Sequence, residues 1–262
     1  MARTRVLFVS AALCAGALLG AAGCSGTYLE MGQGRTTPPV TPKPARSGAA
    51  PAPSPAAVPA LTPAQAQAAL VTAADLGGAW GPSRGTALWR DGLLKAGTTA
   101  PDCQRLLDLV YADEMLGADP RALVGLDEFD TEAQLRYQVS AAPRADVDRV
   151  LAWMRTLPQK CARFDATTLR SGVQSVQVLD YALPAVGDDR QGLRLTLSGP
   201  VSEETGEGTV LTMDVVVVRV GDDAFAVTNG SLGDLPTDAT QTAVQIGAQR
   251  LADVRRQGRV LV

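Results

Sequence analysis

The stretch TVLTMDVVVVRVGDDAFAVT, residues 209–228, decides the fold class of this chain. It contains two runs of β-prone residues, and Gly221, Asp222 and Asp223 between them are typical of a tight turn. Because so short a connection joins neighbouring strands, we expect the two strands to pair antiparallel. Residues 215–218 are four consecutive valines, whereas a strand with one solvent-exposed face alternates apolar and polar residues. The first strand is therefore predicted to lie in the centre of the sheet, with both faces covered.

Further strands and helices are predicted around this hairpin. Residues 133–141 alternate, which places one polar set on the face opposite the apolar side chains: Gln134, Arg136, Gln138 and Ser140. Other strand patterns cover residues 123–129, 173–182 and 193–198, and helical patterns begin at Thr62, Asp102, near Asp146 and at Thr237 or Asp238. This order predicts an α+β domain, with helices packed on a mostly antiparallel central sheet.

The N-terminus has the composition of a bacterial secretion signal. Arg3 and Arg5 precede an apolar run, residues 6–22, and small residues lead into Cys24. We therefore predict a signal peptide over residues 1–23. Residues 21–24, AAGC, resemble the lipobox of bacterial lipoproteins, although Ala21 stands where Leu or Val is usual. The resemblance implies that Cys24 is lipidated and attaches the chain to the outer face of the cell membrane. The alternative is an ordinary signal peptide that is cut elsewhere.

Residues 24–60 are predicted to form the lipidated end and an extended tether. Proline alternates with threonine, alanine and serine over residues 36–44 and 51–55, and too few large apolar residues remain to form a core. A Pro-rich segment of this kind is a semi-extended spacer. The folded extracytoplasmic domain is therefore predicted to cover residues 61–262, which is long enough for one sizeable core.

Two cysteines fall in the predicted domain, Cys103 and Cys161. An even pair in an exported domain is most simply a disulfide. Each cysteine lies at the edge of a predicted helix, so the bridge would join helix to helix. A metal site needs more ligands at closer spacing than two isolated cysteines supply.

The absence of histidine limits the chemistry that this chain can perform. None of its 262 residues is histidine, which excludes Ser-His-Asp and Cys-His nucleophiles, an imidazole base and histidine metal ligands. The sequence also lacks a Ser-x-x-Lys motif and a Gly-x-x-x-x-Gly-Lys phosphate loop. We therefore expect no enzyme activity, no catalytic residue, no cofactor and no metal. With a formal charge of −3 and scattered basic residues, we expect no basic surface of the kind that binds nucleic acid.

Trp80 and Trp89 are the candidates for a ligand-binding site. They flank a loop that contains two glycines and an arginine, residues 81–85, and loop aromatics beside arginine can line a sugar or lipid-headgroup site. The alternative is that both close an edge of the core, which is also the role expected of Trp153 on its helix.

Three acidic groups are predicted to be solvated. They are the Asp188-Asp189 pair, the Asp222-Asp223 pair and the four acids within residues 127–132. Two acids in a turn fall far short of a calcium loop, so we do not expect these residues to bind a metal ion.

Several segments together resemble the PknH-like extracellular sensor domain of actinobacteria. They are residues 69–77, 101–103 and 153–161, and the two Gly-Asp-Asp turns at 187–189 and 221–223. That module occurs outside the membrane on some Ser/Thr kinases and, without a kinase, in lipoproteins. The resemblance covers residues 65–256 and implies a central antiparallel sheet, helices on one side and a ligand-binding cleft. The kinase version has two disulfides, whereas this chain can form one.

Two functions are therefore expected as alternatives. The first is a membrane-anchored module of the cell envelope that senses or binds a small molecule, a glycan or a lipid. The second is a structural or adaptor lipoprotein that binds another envelope protein. A cleft lined by aromatic residues would favour the first, and an exposed apolar patch without a cleft would favour the second.

Overall fold

The two strands predicted from residues 209–228 form the centre of the sheet. The structure is a computed structural model, which describes residues 60–117, 119–140, 142–201, 206, 208–235 and 237–260. Gly208–Val220 and Asp223–Leu232 pair antiparallel, and Gly221 takes a φ of 64° in the turn between them. Residues 215–218 are fully buried. The prediction of a central strand that is covered on both faces is confirmed.

Nine strands form one antiparallel sheet within the described residues, in the order β1-β3-β4-β9-β8-β7-β6-β5-β2. The strands are β1 (Trp80–Pro82), β2 (Ala96–Gly97), β3 (Ala122–Glu128), β4 (Gln134–Val139), β5 (Arg163–Thr168), β6 (Gly172–Asp180), β7 (Asp189–Val201), β8 (Gly208–Val220) and β9 (Asp223–Leu232). The helices are α1 (Pro63–Ala68), α2 (Ala73–Leu76), α3 (Pro101–Ala112), α4 (Arg144–Met154), α5 (Leu157–Lys160) and α6 (Thr237–Val260). A π-helical turn, Arg90–Leu94, precedes β2.

The predicted α+β class is confirmed, but three strands were missed. β1 and β2 are three and two residues long and contain glycine or proline, so they show no alternation. β5 buries only Ala166 and Thr168, which gives it no strongly apolar face. β1 and β2 are the two edges of the sheet, and such short edge strands offer little backbone for pairing with another chain.

Helices cover both faces of the sheet. Helices α3, α4 and α5 pack on one face, which we call the disulfide face, together with Val215 and Val217. Helices α1 and α6 pack on the other, the α6 face, together with Val216 and Val218. The resemblance to the sensor domain implies helices on one side of the sheet only, and this expectation is wrong. The physical reason is that β8 and β9 carry apolar side chains on both faces, and each face needs a cover.

A disulfide joins Cys103 and Cys161 in the core of the disulfide face, and the predicted bridge is confirmed. Cys103 lies in the first turn of α3, and Cys161 follows the last residue of α5, so the bridge links one helix to the end of another. Both cysteines are buried. Trp153 packs half-buried beside this core, and its Nε1 donates a hydrogen bond to Asp102 Oδ1 at 2.9 Å.

The predicted signal peptide, Cys24 and nearly all of the tether lie outside the described residues, and they stay predictions. Ala60 is the first residue described. None of the helices in the described part of the chain is long and apolar enough to cross a membrane.

Candidate binding cavity beside Trp89

The two tryptophans singled out by the sequence lie on opposite faces of the sheet. Trp89 is 7% exposed and belongs to the core of the disulfide face. Trp80, in β1, is half-buried and packs on the core of the α6 face. The structure therefore does not bring them together as the rim of one cleft. Trp89 lines a cavity whose wall does not include Trp80.

Glycines let two aromatic rings lie directly against strands. A Cβ atom at Gly230 in β9 would come within 2.8 Å of Trp89 Cη2 and 2.7 Å of Met213 Cε. A Cβ atom at Gly81 in β1 would come within 2.6 Å of the Phe129 ring. Glycine inside a strand often marks such a close approach, and this was the sequence signal available for both contacts.

The buried side chain of Gln134 holds the loop that carries Trp89. Its Nε2 donates hydrogen bonds to the Gly85 carbonyl oxygen at 2.8 Å, Asp127 Oδ1 at 2.9 Å and Ser83 Oγ at 3.2 Å. Its Oε1 accepts a hydrogen bond from the Ala87 N–H at 3.3 Å. Gln134 is 4% exposed, so these bonds are shielded from water. We call residues 83–89 the Trp89 loop.

Asp127 fastens the same loop from the neighbouring strand. Its Oδ2 accepts a hydrogen bond from the Arg84 N–H at 2.8 Å. Burial alone would raise the pKa of the Asp127 carboxyl, but the hydrogen bonds from Gln134, Arg84 and Ser83 outweigh it and hold the pKa below its ordinary value. Asp127 is therefore an ionised residue with hydrogen bonds to both oxygens.

A cavity of about 410 Å³ lies between the Trp89 loop, the β3–β4 turn and the end of β9. We call it the loop cavity. Its wall includes three apolar side chains that are well exposed: Leu88 at 94%, Phe129 at 49% and Leu232 at 45%. The guanidinium of Arg84 lies over the Phe129 ring, with Cζ 4.9 Å from the centroid. The cavity thus combines an apolar rim with a few polar groups, as ligand sites commonly do.

The acids predicted to form a solvated hairpin end are only partly solvated. Asp127 and Glu128 are half-buried and buried, and both line the loop cavity together with the exposed Glu132. The Glu128 carboxyl accepts a hydrogen bond from the Thr131 hydroxyl, which lowers its pKa. The local pattern of four acids in six residues gave no sign that a distant loop covers two of them.

Aspartates of both Gly-Asp-Asp turns form ion pairs with arginines. Asp223 is 8% exposed and pairs with Arg255, so it departs from the predicted solvated turn. Asp189 pairs with Arg155, while Asp222 keeps a side chain that is 46% exposed. Within the described residues, no group of three or more acidic or cysteine side chains is arranged to hold a metal ion.

A buried carboxylate at Asp214, in the middle of β8, was also missed by the sequence analysis. It is 0% exposed and accepts two hydrogen bonds from Arg194, at 2.7 and 3.0 Å. The Thr240 hydroxyl of α6 donates a third, at 2.8 Å, and itself accepts one from Asn229 Nδ2 at 3.1 Å. This network fastens the first turns of α6 to the sheet. None of its four residues lines the loop cavity.

The chain was compared with known proteins. No protein-family model matches it, and no curated protein matches it significantly. Among solved structures, it is similar to the crystal structure of the extracellular domain of PknH from Mycobacterium tuberculosis, with 16% sequence identity and a TM-score of 0.44. That match covers 76% of this chain and 98% of the PknH domain.

Proposed function

We propose that this chain is an extracytoplasmic lipoprotein of the cell envelope, anchored through Cys24, which binds a ligand in the loop cavity without catalysis. The observation that carries the proposal is the cavity itself. Its wall combines exposed apolar side chains with polar groups, and its loop is held in place by the buried amide of Gln134. Binding sites are commonly built in this way, from a loop that a rigid sheet positions.

The state of the carboxyl groups supports binding rather than catalysis. A general acid or base works best with a pKa near the ambient pH, which for a carboxyl group requires a raised value. Hydrogen bonds instead lower the pKa of both Asp127 and Glu128 in the loop cavity. The chain also contains no histidine, the side chain whose ordinary pKa lies nearest to neutral pH.

The anchor is supported by the order of a basic start, an apolar run and the residues AAGC at 21–24. Metabolic labelling with a clickable fatty acid should mark the wild-type protein and leave the Cys24→Ser variant unlabelled. Equal labelling of the two proteins would show that Cys24 is not the lipidated residue.

Thermal shift of the purified mature protein against cell-wall fragments and envelope lipids tests the ligand site. At a ligand concentration 100 times Kd, linkage adds about 2.7 kcal/mol to the free energy of unfolding. For a domain of this size, that raises the melting temperature by roughly 5–10 °C. Leu88→Ala should reduce the shift, because Leu88 is 94% exposed on the cavity wall.

A matched control is Leu169→Ala, since Leu169 is equally exposed and lies outside the wall of the loop cavity. It should leave the shift unchanged. A ligand whose shift is the same in both variants binds elsewhere, and that result would remove the loop cavity as the site.

The second candidate function is an adaptor that binds another envelope protein through its surface. The exposed apolar side chains of Leu88, Phe129 and Leu232 favour it, because such side chains grouped at one place often mark an interface. Photo-crosslinking in cells from position 88 would recover a protein partner in that case. A ligand hit that needs Leu88, without any crosslinked protein, would favour the first function.

A further inference from the structure

The wall of the loop cavity carries an excess of negative charge. Asp127, Glu128 and Glu132 contribute three carboxylates, and Arg84 contributes one cation. Hydrogen bonds lower the pKa of the first two, so the charge persists at neutral pH. Glu132 is exposed and stands at a φ of 56° in the turn that faces the Trp89 loop. A cationic occupant would complement this wall, and an anionic one would be repelled.

Arg84 shows where a cation can lie in the cavity. Its side chain is exposed, and yet its guanidinium stacks over the Phe129 ring, 4.9 Å from the centroid. The stacking is a cation–π contact of a kind that any guanidinium or ammonium group can make. A cation brought by a ligand would therefore compete with Arg84 for the same position.

Two more features of the wall narrow the chemistry of the occupant. Leu88 and Leu232 offer apolar contact on the rim. The indole of Trp89 adds a further apolar surface to the wall, while its Nε1–H is buried within the protein.

We propose that the loop cavity binds a short peptide segment in which a lysine or arginine adjoins a large apolar residue. The basic side chain faces the carboxylates, and the apolar side chain packs on the rim. A peptide combines a basic and an apolar side chain within two residues, which suits a cavity of about 410 Å³. This inference rests on the proposed function and names the class of its ligand.

The test is an array of acetylated and amidated hexapeptides, probed with the labelled mature protein. The central pair of residues is varied over basic, acidic, polar and apolar combinations. Peptides with lysine or arginine beside leucine, isoleucine or phenylalanine should bind at least tenfold more protein than peptides with aspartate or glutamate in the same place. Equal binding across charge classes, or a preference for acidic peptides, would overturn the proposal.

Charge variants of the protein then locate the site. The best peptide should bind Glu132→Lys about fivefold to tenfold more weakly, because one attractive charge becomes a repulsive one. Asp165→Lys makes the same kind of change at an exposed position of β5, outside the loop cavity, and should leave the affinity unchanged. Arg84→Ala should strengthen binding, because the competing cation is gone. Weaker binding of the same peptide by Arg84→Ala would show that Arg84 attracts the occupant instead of competing with it, and would overturn the proposal.

The outcome also separates this inference from the proposed function. If a glycan or lipid binds in a manner that depends on Leu88, while none of the peptides does, the cavity is a ligand site and the peptide proposal is wrong. If no compound of any class depends on Leu88 or Glu132, both proposals fail. Quenching of Trp89 fluorescence by the best peptide would agree with binding beside the indole.

Discussion

Removing Arg194 should destabilise the domain strongly, because it would leave Asp214 buried without its charged partner. In the native protein, Asp214 is 0% exposed, and Arg194 donates two of the hydrogen bonds that its carboxylate accepts. Losing one member of a buried ion pair costs about 3–5 kcal/mol. The Arg194 side chain is 29% exposed, so water can approach, and we expect the lower end, about 3 kcal/mol, for Arg194→Met.

Urea unfolding of the wild type and Arg194→Met measures this loss as a lower midpoint at an unchanged slope. The melting temperature should fall by roughly 6–12 °C. The double variant Arg194→Met with Asp214→Leu should recover most of the stability, because the unpaired charge is gone. What stays lost is the hydrogen bond from Thr240 and the contact of Arg194 with the Tyr181 ring. A loss below about 1 kcal/mol in the single variant, or no recovery in the double variant, would refute the reasoning.

Reducing the Cys103–Cys161 bridge should lower the free energy of unfolding by up to about 4 kcal/mol, because the unfolded chain is no longer cross-linked across a sequence separation of 58 residues. Two free thiols in non-reducing alkylation would contradict the bridge. Gly230→Ala should cost about 1–3 kcal/mol and shift the fluorescence of Trp89, because the new Cβ atom overlaps the indole; an unchanged spectrum would argue against that contact. Folding lowers the pKa of Asp127, so the ionised carboxylate contributes to stability fully above its unfolded pKa and ceases to do so as the pH falls through its folded pKa. Asp127→Asn should therefore lose less stability than the wild type as the pH is lowered. An identical loss in the two proteins would contradict this.

The central strands could be predicted from the sequence because one local pattern carries the whole signal. Residues 215–218 are apolar at every position, and an adjacent Gly-Asp-Asp turn leaves antiparallel pairing as the simplest arrangement. The disulfide was predictable for a similar reason, since only Cys103 and Cys161 fall within the predicted domain. Each of these conclusions depends on residue types that have few alternative roles.

The site could not be predicted in the same way, because its parts are distant in sequence. Gln134 and Gln138 alternate with apolar residues in β4, a pattern that usually marks a face open to solvent. Both are buried, since the Trp89 loop covers Gln134 and the end of α3 covers Gln138, whose Nε2 donates to the Asp113 carbonyl oxygen at 2.6 Å. A strand pattern tells which residues share a face, but what covers that face depends on other segments.

The loop cavity and the first described residue of the chain lie at opposite ends of β9. Ala60, where the described chain begins, lines a surface cavity together with Asp222 and Asp223, at the start of β9. The loop cavity lies at the other end of this ten-residue strand, beside Leu232. At about 3.3 Å per residue, the two ends are about 30 Å apart. The apolar rim and the carboxylates of the loop cavity therefore lie far from the point at which the described chain begins.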